Sequence, residues 1–106
     1  MNDRLTSLLD MLKSSPNEPF ILFALAQECV KKELHSEALR YYERIVEFSP
    51  VYTGVYYHLG KLYEQLGRKT DALHIYKQGM EMTKQRGEQH AFSELQSALN
   101  LLSDEA

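Results

Sequence analysis

Four histidines and one cysteine carry the richest potential chemistry in this chain of 106 residues. His35, His58, His74 and His90 lie 16 to 23 residues apart. A helical metal site needs two ligands about one turn apart on one face, completed by cysteine or carboxylate. No histidine pair has that spacing, so neither a metal nor a cofactor is expected. Cys29 would need a nearby positive charge and solvent access to act as a nucleophile. Lys31 and Lys32 are its nearest cations in sequence, but a helix turns them roughly 200° and 300° away from it. Glu43 and Glu47 are spaced as like-charged neighbours on a solvated face, not as a catalytic pair. No glycine-rich phosphate loop and no Gly-x-Ser-x-Gly elbow occurs. The residues that could do chemistry therefore point to a protein that is not an enzyme.

The elements that would hold these residues are helical. Leu occurs 16 times, against 11 for Val, Ile and Thr together. Unbranched side chains lose little rotamer freedom in a helix, whereas β-branched ones lose more. Apolar residues at 43% and charged residues at 25% suit one globular domain, residues 1–106. A net charge of −3 argues against nucleic acid as a partner, because phosphates demand a basic excess. No apolar run approaches the roughly 18 residues that span a bilayer, and Met1-Asn2-Asp3-Arg4 does not open like a signal peptide. The single cysteine excludes an intrachain disulfide. A cytoplasmic protein with no membrane partner is the expectation.

Shifting the sequence by 34 residues superposes Leu25 on Leu59, Ala38 on Ala72, Leu39 on Leu73, Tyr42 on Tyr76 and Glu47 on Glu81. Ala26 meets Gly60, Ser36 meets Thr70, Glu37 meets Asp71 and Phe23 meets Tyr57. Tyr56, Leu59, Gly60, Leu62, Tyr63 and Leu66 form one helical stripe. Gly67 is a C-terminal stop. Thr70 is expected to cap the following helix, with Asp71 in its first turn, and Ser36 and Glu37 to repeat that arrangement one period earlier. Pro50 ends the helix that carries Tyr41 to Phe48. The pattern predicts helices near 3–14, 18–32, 36–48, 53–66, 70–86 and 88–102.

The 34-residue period, with Tyr56, Leu59-Gly60, Tyr63, Gly67, Ala72, Tyr76 and Gly79 in the second copy, resembles the tetratricopeptide repeat. The first copy reads Leu22, Leu25-Ala26, Cys29, Ala38, Tyr42, Ile45 and Pro50. It departs from the family at Ile45 and at Glu33, where the inter-helix turn would carry glycine; the second copy has Lys84 where proline is usual. The resemblance implies an all-α, right-handed α-solenoid of antiparallel helix pairs with about six helices. Residues 1–16 form an N-terminal helix, 19–52 the first repeat, 53–86 the second, and 88–102 a capping helix that closes the last apolar face. Gly87 and a linker longer by two residues are expected to precede that cap.

The resemblance also implies a function. First helices of successive tetratricopeptide repeats line a concave groove that binds peptides, so the chain is expected to be a non-enzymatic protein-interaction module. The groove positions are Phe20, Phe23, Gln27, Val30 and Lys31 in the first repeat, Gly54, Tyr57, Lys61, Glu64 and Gln65 in the second, and, with a two-residue shift, His90, Ser93, Ser97 and Asn100 on the capping helix. Phe20 and Phe23 have a competing reading as packing against the N-terminal helix. The set lacks the Lys, Arg and Asn pattern with which some family members clamp a carboxylate. The partner is a peptide or protein, and the chain a monomer or weak homodimer. The alternative is a self-associating helical adaptor that pairs through the N-terminal or C-terminal helix.

Overall fold

Leucine-rich stripes and left-handed stops divide the chain into six helices in the computed structural model, which describes residues 3–104. They are α1 (Arg4–Ser14), α2 (Pro19–Lys31), α3 (His35–Phe48), α4 (Gly54–Gln65), α5 (Lys69–Gln85) and α6 (Gln89–Ser103). Their ends fall close to the predicted ones. Among the described residues there is no strand, and the fold is an all-α helical repeat. Residues Met1–Tyr52 and Thr53–Ala106 form two compact units.

Three turns share one design. Glu33, Gly67 and Gly87 have φ of 61°, 74° and 71°. Each stands at the left-handed position just past a helix, where its amide and the next one bond back to the helix's last carbonyls. Gly67 N–H donates to Glu64 O at 3.0 Å and Arg68 N–H to Tyr63 O at 2.8 Å. The same pair of bonds recurs from Glu33 and Leu34 to Val30 and Cys29, and from Gly87 and Glu88 to Lys84 and Thr83. The residue that closes each turn also starts the next helix, since Leu34, Arg68 and Glu88 accept from Ala38, Ala72 and Phe92.

That economy corrects the predicted caps. Leu34 and Arg68 occupy the cap positions and form no side-chain cap bond. Ser36 and Thr70 lie inside the first turns, because a three-residue turn leaves no place for a separate cap. Asp71 does stand in its helix's first turn, where its carboxylate takes Arg68 Nε at 2.8 Å. A second correction concerns the extra length before α6. It lies within α5, which has 17 residues against 14 in α3, and α6 follows through a short turn at Gly87.

In the first unit, α2 packs against α1 and α3. Leu8, Ile21, Ala24 and Leu25 form a buried cluster, flanked by Leu5, Leu12 and Tyr41. Buried Glu28 meets Arg4 at 3.5 Å and Lys31 at 3.8 Å. Arg44 of α3 donates to Pro16 O and, at 3.2 Å, to Asn17 Oδ1, which ties down the turn between α1 and α2.

In the second unit, α5 packs between α4 and α6. Two glycines allow this close approach. A Cβ on Gly60 would overlap the Tyr76 ring, and one on Gly79 would stand 2.5 Å from Tyr56 Cβ and 2.9 Å from Leu95 Cδ1. Glycine costs up to about 1 kcal/mol of helix propensity at each position. In exchange, both tyrosine rings are fully buried. The aromatic counterpart of Gly60 is thus the Tyr76 ring. Ala72, on the same helix as Tyr76, is buried too.

Candidate functional site

Adjacent tyrosines on α4 have different fates because successive helical residues point about 100° apart. Tyr56 is fully buried, whereas Tyr57 is half-buried at the edge of an open cleft. Lys61, one turn on, sits with Nζ 5.6 Å from the centre of the Tyr57 ring. That separation allows the ring's negative face to attract the ammonium. His58 makes an edge contact with the same ring, with centres 5.8 Å apart. The opposite wall belongs to α6, where Ser93, Ser97 and Ala98 leave room in a cleft of about 300 Å³. Leu101 stands at one end, 70% exposed. His90 and Glu94 stand at the other, with Nε2 and Oε1 3.8 Å apart.

Glu64 does not line this cleft. Its carboxylate accepts the hydroxyl proton of buried Tyr76 and lies 3.7 Å from Lys61 Nζ. Burial, and then the bond and charge of Glu64, push the Tyr76 phenol far above its usual range. A phenol inside a helical core needs a partner for its hydroxyl, and Glu64 supplies one. Asn100 is exposed on α6 and also stands outside the cleft lining.

The first-unit candidates separate as well. Phe20 is 67% exposed on α2, and Gln27 and Lys31 are exposed. Phe23 is half-buried between Tyr42 and Tyr52, with ring centres 5.9 and 5.7 Å away. It packs on these tyrosines from α3 and the turn beyond it. Cys29 is buried; desolvation, then the charges of Glu37 and Glu28, push its thiol up. This is the opposite of an activated nucleophile. His58, His74 and His90 are exposed and His35 is half-buried. Among the described residues no three metal-ligating side chains cluster, and no helix is long and apolar enough to cross a membrane.

Three lining residues were not among the predicted ones: Glu94, Ala98 and Leu101. A signal for Leu101 was present. The offset of 36 residues that carries Tyr57 to Ser93 and Lys61 to Ser97 also carries Gln65 to Leu101. Likewise, Glu94 follows His90 by one helical turn.

A family model for the tetratricopeptide repeat matches residues 53–86, the span of the second 34-residue period. The solution structure of a tetratricopeptide repeat domain protein from Salinibacter ruber is similar at 48% identity. Its TM-score is 0.79, over 83% of this chain and 89% of that one. This chain belongs to the tetratricopeptide repeat family. A crystal structure of a tetratricopeptide repeat domain protein from the same organism is similar at 47% identity and TM-score 0.78, over 82% and 98% of the two chains. A Bordetella parapertussis protein solved in solution is 25% identical at TM-score 0.81, over 97% and 90%. No curated protein matches the sequence. The tetratricopeptide repeat is in general a protein-interaction scaffold, and that coarse role extends to this chain.

Proposed function

We propose that this tetratricopeptide repeat domain is a non-enzymatic interaction module whose second unit receives a peptide or protein segment in the cleft between α4 and α6. The observation that carries the reading is Tyr57. A large aromatic stays half-exposed beside a cleft of about 300 Å³ while its neighbour Tyr56 is buried. Aromatic side chains at such positions supply rigid contact area at low entropic cost. Ser93 and Ser97 offer hydroxyls to a peptide backbone, and Lys61 caps the ring. In the first unit, exposed Phe20, Gln27 and Lys31 are the side chains proposed to contribute contacts of their own.

The test is affinity capture from native lysate with the wild type, Tyr57→Ala and Ser97→Arg, each verified as folded by circular dichroism. Partners retained by the wild type and lost from both variants support the reading. Partners indifferent to both variants refute it.

A second reading, self-association through α1, rests on Leu9 and Met11, which are exposed on that helix. Light scattering over a concentration series tests it, with Leu9→Asp as the disrupting variant. Leu5 is unsuited to this test because it packs on the buried cluster.

A further inference from the structure

The ammonium beside the cleft is neutralised by a carboxylate. Lys61 could attract an acidic ligand, but its ammonium is held 3.7 Å from Glu64 Oε2 and lies over the Tyr57 ring. Glu64 cannot readily swing away, because the same oxygen accepts the hydroxyl proton of buried Tyr76. His90 lies 3.8 Å from Glu94. The fixed charges Lys61, Glu64 and Glu94 sum to −1. The uncompensated carboxylate is Glu94, on the α6 wall beside Ser93 and Ser97.

We infer that Glu64 is a specificity-determining positioning residue. By neutralising Lys61 it turns the cleft away from acidic segments and toward one with a large apolar side chain and a neighbouring Lys or Arg. The apolar side chain lies between Tyr57 and Leu101 over Ala98, and the cation faces Glu94. The inference rests on the reading of this cleft as the binding surface. Glu64 acts through Lys61 and the partner's charge, not by touching the partner. Complementary charge sets which partner is accepted more than it sets total affinity.

The test uses a displayed library of random dodecapeptides, selected at neutral pH on the immobilised full chain. The selection is run in parallel on the wild type, Glu64→Gln and Glu94→Gln. Glutamine at position 64 still offers an oxygen to Tyr76, so only the charge is lost; Glu94 is a surface position, so its variant folds independently of that core bond. Wild-type peptides are expected to pair a large apolar residue with Lys or Arg and to be depleted in Asp and Glu. Their affinity is expected to fall about tenfold or more with Tyr57→Ala, and about two- to fivefold with Glu94→Gln, the scale of an exposed ion pair. Peptides selected on Glu64→Gln are expected to gain acidic residues. Tyr57-dependent peptides that are acidic on the wild type, or unchanged in charge between the wild type and both variants, overturn the charge inference and leave the binding surface standing. Failure to select any peptide, or selection of peptides indifferent to Tyr57→Ala, overturns both.

Discussion

Gly60→Ala sets two effects of opposite sign against each other. Helix propensity alone favours alanine by about 1 kcal/mol. Packing opposes it, since the added methyl would overlap the edge of the Tyr76 ring. The ring is not a loose end that can step aside. It is fully buried, and its hydroxyl is bound to Glu64. Moving it costs about 1–3 kcal/mol of overpacking, plus about 1 kcal/mol for the displaced hydrogen bond. The expected net destabilisation is about 1–3 kcal/mol, which for a domain of this size lowers the melting midpoint by about 4–8 °C per kcal/mol. Thermal and urea denaturation followed by circular dichroism measure it. A neutral or stabilised Gly60→Ala would refute the packing argument.

The first repeat supplies the control. At the equivalents of Gly60, Glu64 and Tyr76 it has Ala26, Val30 and Tyr42. Both Ala26 and Tyr42 are buried, so an alanine and a tyrosine at these positions are compatible with this fold where no glutamate stands one turn along. Adding Glu64→Val to Gly60→Ala is expected to recover part of the loss, with a coupling of at least about 0.5 kcal/mol. Strict additivity would mean that the bond to Glu64 does not hold the ring in place.

Glu33→Gly relieves a non-glycine residue at φ 61° and is expected to stabilise by about 0.5–1 kcal/mol, the left-handed penalty less the entropy glycine adds to the unfolded chain; a fall in the urea midpoint would contradict it. Cys29, buried and with its thiol pushed up, should resist alkylation in the folded chain and react once denaturant unfolds it; rapid modification under native conditions would show the site to be open. Glu88 is held below the usual carboxylate range first by the hydroxyl of Thr53, at 2.7 Å. A depressed carboxylate stabilises above its ordinary pKa and loses that contribution as pH falls through the lowered one, so Thr53→Val should raise the Glu88 value in an NMR titration and flatten that part of the acid limb. Tyr56→Ala should cost about 3–5 kcal/mol and Tyr57→Ala about 1 kcal/mol or less; equal losses on denaturation would put both rings in the core.

Much of the fold was legible because burial repeats with the period. Leu25 and Leu59, Ala38 and Ala72, and Tyr42 and Tyr76 are all buried pairs. A hydrophobic stripe reports its own burial, so the helices followed from it. The caps were less legible. Ser36 and Thr70 have the right chemistry for capping, but a turn closed by backbone bonds to Cys29 and Tyr63 makes Leu34 and Arg68 the first-turn acceptors. No side-chain preference signals that choice. The surplus length before α6 was misplaced for a related reason. Counting residues reveals an insertion, but only the position of the left-handed stop at Gly87 assigns it to the helix.

The site was legible in one dimension and not in the second. Helical phase separated Tyr57 from Tyr56, and it also brought Lys61, Ser93 and Ser97 to the cleft. Phase gives a direction around one helix; it does not say what else competes for a polar side chain. Glu64 has the phase of a surface residue, yet the buried hydroxyl of Tyr76 on the neighbouring helix claims it. Phe23 has the phase of Tyr57, yet it packs on the rings of Tyr42 and Tyr52. In both cases an aromatic ring from elsewhere in the same unit decides the outcome. Equivalent positions in two repeats therefore need not be equivalent surfaces. The difference between Val30 and Glu64 leaves one repeat with an apolar position where the other holds a carboxylate beside a lysine.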